Sequence, residues 1–188
     1  LDKLVTYLFS TSGNLFSARK VTGALRSAGR KASVETIENY IAAIEQAYIL
    51  YACPQTGIMG KEVLSPLRKF YPVDTGLRNL AIGFAQRDIG AQLENVVFVE
   101  LLRRGHVSEV GASPTSEVDF VARRYDERQY IQVCASLLEE GVFQRELAPL
   151  RKIADGFPKI VLTLDRSRTG ITEDGIRIVS LVDWLLAD

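Results

Sequence analysis

The chain has 188 residues, 24% charged and 47% apolar, and its 23 Lys and Arg balance 23 Asp and Glu. That composition excludes an intrinsically disordered segment, which combines low hydrophobicity with high net charge. No apolar run approaches the roughly 20 residues of a bilayer-crossing helix, and the opening LDKLVTYLFS lacks the basic start and small-residue cleavage site of a secretory signal. A soluble, cytoplasmic protein with no membrane partner is expected. Two cysteines, Cys53 and Cys134, are too few for a disulfide framework or a zinc cluster and read as packed, reduced thiols. The length allows one large domain or two small ones, and a first residue of Leu1 in place of Met suggests a fragment. The balanced charge is unevenly placed: residues 1–80 carry ten Lys or Arg against six Asp or Glu, and residues 81–188 carry thirteen against seventeen. Helix-like periodicity up to residue 50 gives way to strand-like alternation after residue 105, so two domains are expected, 1–80 and 81–188.

Three helices open the chain. Leu1, Leu4, Val5 and Leu8 recur at helical spacing until Thr11-Ser12-Gly13-Asn14 supplies a turn. A second helix follows Ser17 as N-cap and runs through Val21, Leu25 and Ala28 to Gly29, which suits a left-handed C-terminal position. A third starts at Ser33, with an expected apolar face of Ile37, Tyr40, Ile41, Ile44 and Tyr48. Beyond it, Ile49 to Cys53 reads as a strand, Pro54-Gln55-Thr56-Gly57 as a turn, and Lys69 to Val73 as a returning strand. Three helices and a hairpin make a winged helix-turn-helix. Folds of this kind often bind DNA through Lys and Arg at phosphates and a helix in the groove. Here the third helix carries Glu35, Glu38 and Glu45 and no Lys or Arg. Any nucleic-acid contact is therefore expected through Lys61, Arg68 and Lys69 in the wing, with Arg19, Lys20, Arg26, Arg30 and Lys31 extending the positive strip.

The most distinctive segment is KFYPVDTGLRNLAIG, in which Asp74 can cap a helix starting near Leu77. It resembles the Tyr-x-x-Asp-x-Gly-Leu-Arg-Asn motif of the domain of unknown function that follows the ATPase module in a large group of prokaryotic AAA+ family ATPases. The resemblance continues in order through QLENVVFVELLRRG, SEVDFVARR, YIQVCASL, FQRELAPLRKI and PKIVLTLD, covering the chain from Asn14 to Asp165. It implies that the chain is the C-terminal part of such an ATPase and that its own N-terminal ATPase module is its first partner. No Gly-x-x-x-x-Gly-Lys-Ser/Thr segment occurs in these residues, so the chain offers no P-loop site for ATP, and ATPase activity would belong to the absent module.

From Ile89 onward the expected order is helix (to Arg104), strands at Val107–Gly111, Glu117–Arg123 and Tyr130–Ala135, helix Val142–Ala154, strand Ile160–Leu164, a shorter strand Ile176–Val179 and a last helix. This α-β-β-β-α-β order is similar to the restriction-endonuclease-like core of the PD-(D/E)XK type, to which the family's C-terminal domain looks related. Active members hold Mg²⁺ with carboxylates on the first helix and second strand and a Glu-x-Lys on the third, where the metal activates water and the lysine supports developing charge. The resemblance places these positions at Glu94, Asp119, Gln132 and Cys134. Glu94 shares a helical face with Phe98 and Leu101, which favours it over Glu100. Strand alternation puts Val118 and Phe120 on one face and Glu117, Asp119 and Val121 on the other. Gln132 stands for the metal-binding Glu and Cys134 for the lysine, and a neutral amide and thiol cannot replace those charges. The implied site is degenerate, with Glu94 and Asp119 as its remaining metal candidates and Mg²⁺ its candidate ion.

Other residues carry less chemistry. His106, the only histidine, reads as a surface turn residue. Arg145-Glu146 reads either as a helix-surface ion pair or as an arginine facing Glu94 or Asp119, and Trp184 as an anchor for the last helix. The expected fold is α+β, a winged helix-turn-helix followed by a degenerate endonuclease-like core. Three function classes stay open: a non-catalytic interaction or regulatory region with an unidentified protein partner, a DNA-binding module, and a divalent-metal nuclease using Glu94, Asp119 and Gln132.

Overall fold

Four of the helices, the last of them capped by Ser180, start where a short polar side chain takes an amide proton that the first helical turn leaves unbonded. In the computed structural model, which describes residues 2–58, 67–85 and 88–187, Ser17 caps α2 (Ala18–Ser27), Ser33 caps α3 (Val34–Gln46) and Asp74 caps α4 (Thr75–Ile82). The Asp74 carboxylate accepts from Leu77 N at 2.8 Å. Gly29, at φ +73°, ends α2 in the left-handed region expected of it, and the Arg30 amide beyond it bonds back to Leu25 O at 2.9 Å.

Two units are distinguished, Leu1–Cys53 with Leu67–Phe84, and Pro54–Pro66 with Ala85–Asp188. The first holds α1 (Asp2–Ser10), α2, α3, the start of β1 (Leu50–Gly57), β2 (Arg68–Pro72) and α4. Leu8, Phe9, Phe16, Ile37, Ile41, Ile44, Leu50 and Phe70 form its buried cluster, with Phe16 set edge-on to Phe70 at 5.3 Å. Burying each such side chain contributes about 1.5–3 kcal/mol. Two members of the expected α3 face are absent from that cluster. Tyr40 is 45% exposed and Tyr48 72% exposed, because Tyr48 lies beyond the helix end with its backbone at φ +53°.

The expected turn at Pro54–Gly57 is strand instead. Gln55, Thr56 and Gly57 continue β1 and pair in parallel with Val110, Gly111 and Ala112 of β3 (Val107–Ala112). Pro54, which has no N–H to give, is exposed where β1 leaves the first unit for the second, a position that tolerates proline.

The second unit is organised around the strand order β1-β3-β4-β5-β6-β8-β7. β4 (Glu117–Arg124) pairs antiparallel with β3 and with β5 (Glu127–Cys134). α6 (Glu140–Arg151) then crosses to β6 (Lys159–Thr163), parallel to β5, and β8 (Arg177–Ser180) adds in parallel to β6. A short β7 (Gly170–Ile171), not foreseen, pairs antiparallel with β8. α5 (Ile89–Arg103) and α6 take opposite faces. Phe98 of α5 stacks on Phe120 at 5.8 Å, while Leu147 and Leu150 of α6 pack with Val121, Tyr130 and Val161, and neighbours on a strand point opposite ways. α7 (Leu181–Leu186) is anchored by Arg104, which lies 4.4 Å over the Trp184 ring and donates to Trp184 O and Ala187 O at 2.6 and 2.8 Å.

The simple alternation expected of β4 is broken. Glu109 pairs with Val121 and Gly111 with Val118, so a two-residue step on β3 faces a three-residue step on β4. This β-bulge at Asp119-Phe120 brings Val118 and Val121 into the same buried cluster. Gly111 makes the room for both: a Cβ there would lie 3.0 Å from Val121 Cγ2 and 3.2 Å from Val118 Cβ. The result is a mixed α+β protein with seven α-helices and eight strands among the described residues. Among them, no helix is long and apolar enough to cross a membrane.

Candidate functional site

The bulge fixes the surroundings of Asp119. β4 and β5 pair regularly from Phe120 and Ile131 onward, and at the bulge the Asp119 side chain supplies what the ladder does not. Its Oδ2 accepts from Val133 N at 2.8 Å, and its own N–H donates to Gln132 Oε1 at 3.3 Å. Asp119 and Gln132 are each 9% exposed. The other end of the Gln132 amide donates from Nε2 to Glu146 Oε2 at 3.1 Å, and Glu146 Oε1 accepts from Arg145 Nη2 at 2.8 Å. One glutamine amide therefore bridges a β4 backbone group and an α6 carboxylate, with acceptor and donor both used.

Glu146 is the site residue that sequence reasoning passed over, being read only as the partner of Arg145. Its signal was the one used for Glu94, a carboxylate inside an apolar helical stripe, here between Phe143 and Leu150. Arg145 turns to Glu146, and its side chain is 71% exposed.

Cys134 lies two residues beyond Gln132 on β5, in the buried cluster with Leu137 and Leu147. Its thiol donates to Ser136 O at 2.9 Å, and burial, helped by the Glu146 charge, pushes it up to about 11. It is neutral at physiological pH and inert as a nucleophile. Glu94 is half-buried on α5, beside the fully buried Asn95. Glu117 is half-buried at the start of β4, opposite Ala112. Glu100 binds Arg103 and Arg104, whose guanidinium groups hold its carboxyl down at about 2. His106 is no plain surface residue. It is half-buried, its Nε2 lies 3.3 Å from Gln129 Nε2, and burial lowers its pKa.

Magnesium needs a near-octahedral set of oxygen ligands anchored by carboxylates. Among the described residues no group of three or more His, Cys, Asp or Glu is placed to hold a metal ion. Asp119 Oδ2 and Gln132 Oε1 already accept backbone protons. Two of the oxygens expected to face the ion are therefore engaged by the backbone, and Gln132 brings no charge to it.

The expected phosphate contacts are also differently placed. Lys61 lies outside the described residues. Arg68 is paired with Glu38 of α3 and lies 5.1 Å over the Phe70 ring. Lys69 is 3% exposed and so presents no charge to a phosphate backbone. The third-helix acid that argued against DNA thus holds one of the cations that argued for it.

Residues 1–88 match a family model described as a domain of unknown function (DUF8612). Over 186 residues, 99% of the chain, the sequence is 36% identical to a Haemophilus influenzae protein named "Uncharacterized protein", of which the match covers 46%. It is 29% identical over 193 residues, 95% of the chain, to "Uncharacterized protein MJ1544" of Methanocaldococcus jannaschii, of which the match covers 42%. No solved structure matches the chain. The chain spans less than half the length of the curated relatives it matches.

Proposed function

We propose that this chain is the non-catalytic C-terminal interaction or regulatory region of a cytoplasmic AAA+ family ATPase. In this reading residues 1–80 form a winged helix-turn-helix, and residues 81–188 a restriction-endonuclease-like domain whose catalytic position has become a structural joint. The observation that carries the reading is the Gln132 amide, which spends its oxygen on Asp119 N–H and its nitrogen on Glu146 where an active nuclease would present a metal-binding carboxylate. Cys134, at the lysine position, adds a neutral thiol buried among Leu137 and Leu147. The element order α5-β3-β4-β5-α6-β6 agrees with the endonuclease-like core. More than half of each curated relative lies outside the matched stretch, which leaves room for an ATPase module.

The two alternatives draw less support. A nuclease of this type needs a metal-binding carboxylate where Gln132 stands, and among the described residues no three His, Cys, Asp or Glu side chains gather as a metal site. A DNA-binding wing needs free cations, whereas Arg68 is paired and Lys69 buried. The reading is tested on the complete reading frame and its protein. A P-loop segment is expected on the same polypeptide, with ATP hydrolysis that persists when the present residues are deleted and changes in rate or dependence on partners. A frame without such a segment, or hydrolysis abolished by Asp119→Asn alone, would contradict it.

A further inference from the structure

The middle of α2 is lined by small residues. Gly23 and Ala24 stand between Val21 and Leu25, and where α1, α2 and α3 face one another Ala24 lines a cavity of about 620 Å³. Its floor is apolar: Ile37 is buried, and Leu4, Val21 and Leu25 are partly buried against the core of the first unit. Tyr7 and Tyr40, 43% and 45% exposed, stand in its walls. The displaced Tyr40 of the expected helix face is thus part of this cavity.

Charge around the cavity has one sign. Lys3, Lys20, Arg30 and Lys31 line it, all exposed, and none is in an ion pair among the described residues. No Asp or Glu lines it among those residues. Arg68 of the same unit is neutralised within the fold, whereas these four cations stay open to an external anion. Cavities of roughly 300–1,000 Å³ with apolar walls and a few polar groups suit single small ligands. A nucleic-acid duplex would use the cations and waste the floor, since its affinity comes chiefly from phosphate contacts.

We propose that this cavity binds a small amphiphilic anion, an apolar body with a carboxylate, sulfonate or phosphate end, held by the floor of α1, α2 and α3 and by the surrounding Lys and Arg. The site is independent of the ATPase reading and stands or falls apart from it. Its probes are 8-anilinonaphthalene-1-sulfonate and dodecanoate, titrated against the 188-residue chain by fluorescence and calorimetry. The fluorophore is expected to bind one site per chain and to be displaced by dodecanoate but not by uncharged dodecanol at equal concentration. Ala24→Trp, which fills the cavity, is expected to weaken dodecanoate binding about tenfold or more. Lys20→Glu and Lys31→Glu, at exposed positions that do not threaten folding, are expected to weaken it by about two- to fivefold each. Near-ultraviolet dichroism and cooperative thermal unfolding establish that each variant is folded, since a molten state would itself take up the fluorophore. Equal displacement by dodecanol, or binding unchanged by both charge reversals, would overturn the proposal. So would displacement by a short DNA duplex or an acidic amphipathic peptide but not by dodecanoate.

Discussion

The two units treat their ionisable residues in opposite ways. In the second, Asp119, Gln132 and Glu146 are drawn inward and joined by hydrogen bonds, so that the polar groups expected to do chemistry hold β4, β5 and α6 together. In the first, Arg68 and Lys69 are absorbed into the structure while Lys3, Lys20, Arg30 and Lys31 stay outside around an apolar cavity. A carboxylate on a central strand and a lysine in a helical unit look equally functional in a sequence. Burial and hydrogen-bond partners separate them: the partnered groups stabilise, and the unneutralised ones are available to a ligand.

The largest expected effect is in the second unit. Asp119→Ala removes the acceptor of Val133 N–H and should destabilise by about 2–4 kcal/mol, read as a shifted urea midpoint; an unchanged midpoint would show that the carboxylate is not structural. Gly111→Val should cost about 1–3 kcal/mol, since Val118 and Val121 already fill the space its side chain would need. A smaller effect concerns Cys134. Its thiol lies above its ordinary value of 9.0, at about 11, so its contribution to stability is complete below pH 9 and declines as the pH rises toward 11. Cys134→Ala should lose that alkaline dependence, and iodoacetamide should label the folded thiol far more slowly than the unfolded one. Smallest of all, Lys20→Glu should leave stability within about 0.5 kcal/mol, because the residue is exposed and unpaired. A larger loss would erase the contrast between the units.

Much of the fold could be read from local rules. Ser17, Ser33, Asp74 and Gly29 mark helix ends in the chain and occupy those places in the structure, and α5 to β6 fall close to their expected bounds. What local rules could not supply was pairing. Pro54-Gln55-Thr56-Gly57 has turn composition, and only the distant β3 makes it a strand. The β4 bulge likewise depends on the register with β3, so Val118 and Val121 could not be placed on one face by alternation alone. The site was legible in part: Asp119 and Gln132 do meet, but Glu146 enters from a helix thirteen residues beyond Cys134's neighbour Val133. Lys69 reads as a surface cation in any local window, yet it is buried together with its neighbours Phe70 and Tyr71.

If residues 81–188 are a degenerate endonuclease-like domain, as proposed, its metal position is closed. The most direct measurement is a calorimetric titration of the chain with Mg²⁺ and Mn²⁺, paired with a plasmid-nicking assay in the same buffers. The bridging of Asp119, Gln132 and Glu146 predicts no saturable heat and no nicking. Stoichiometric metal binding that disappears in Asp119→Asn, together with nicking that disappears in the same variant, would contradict it.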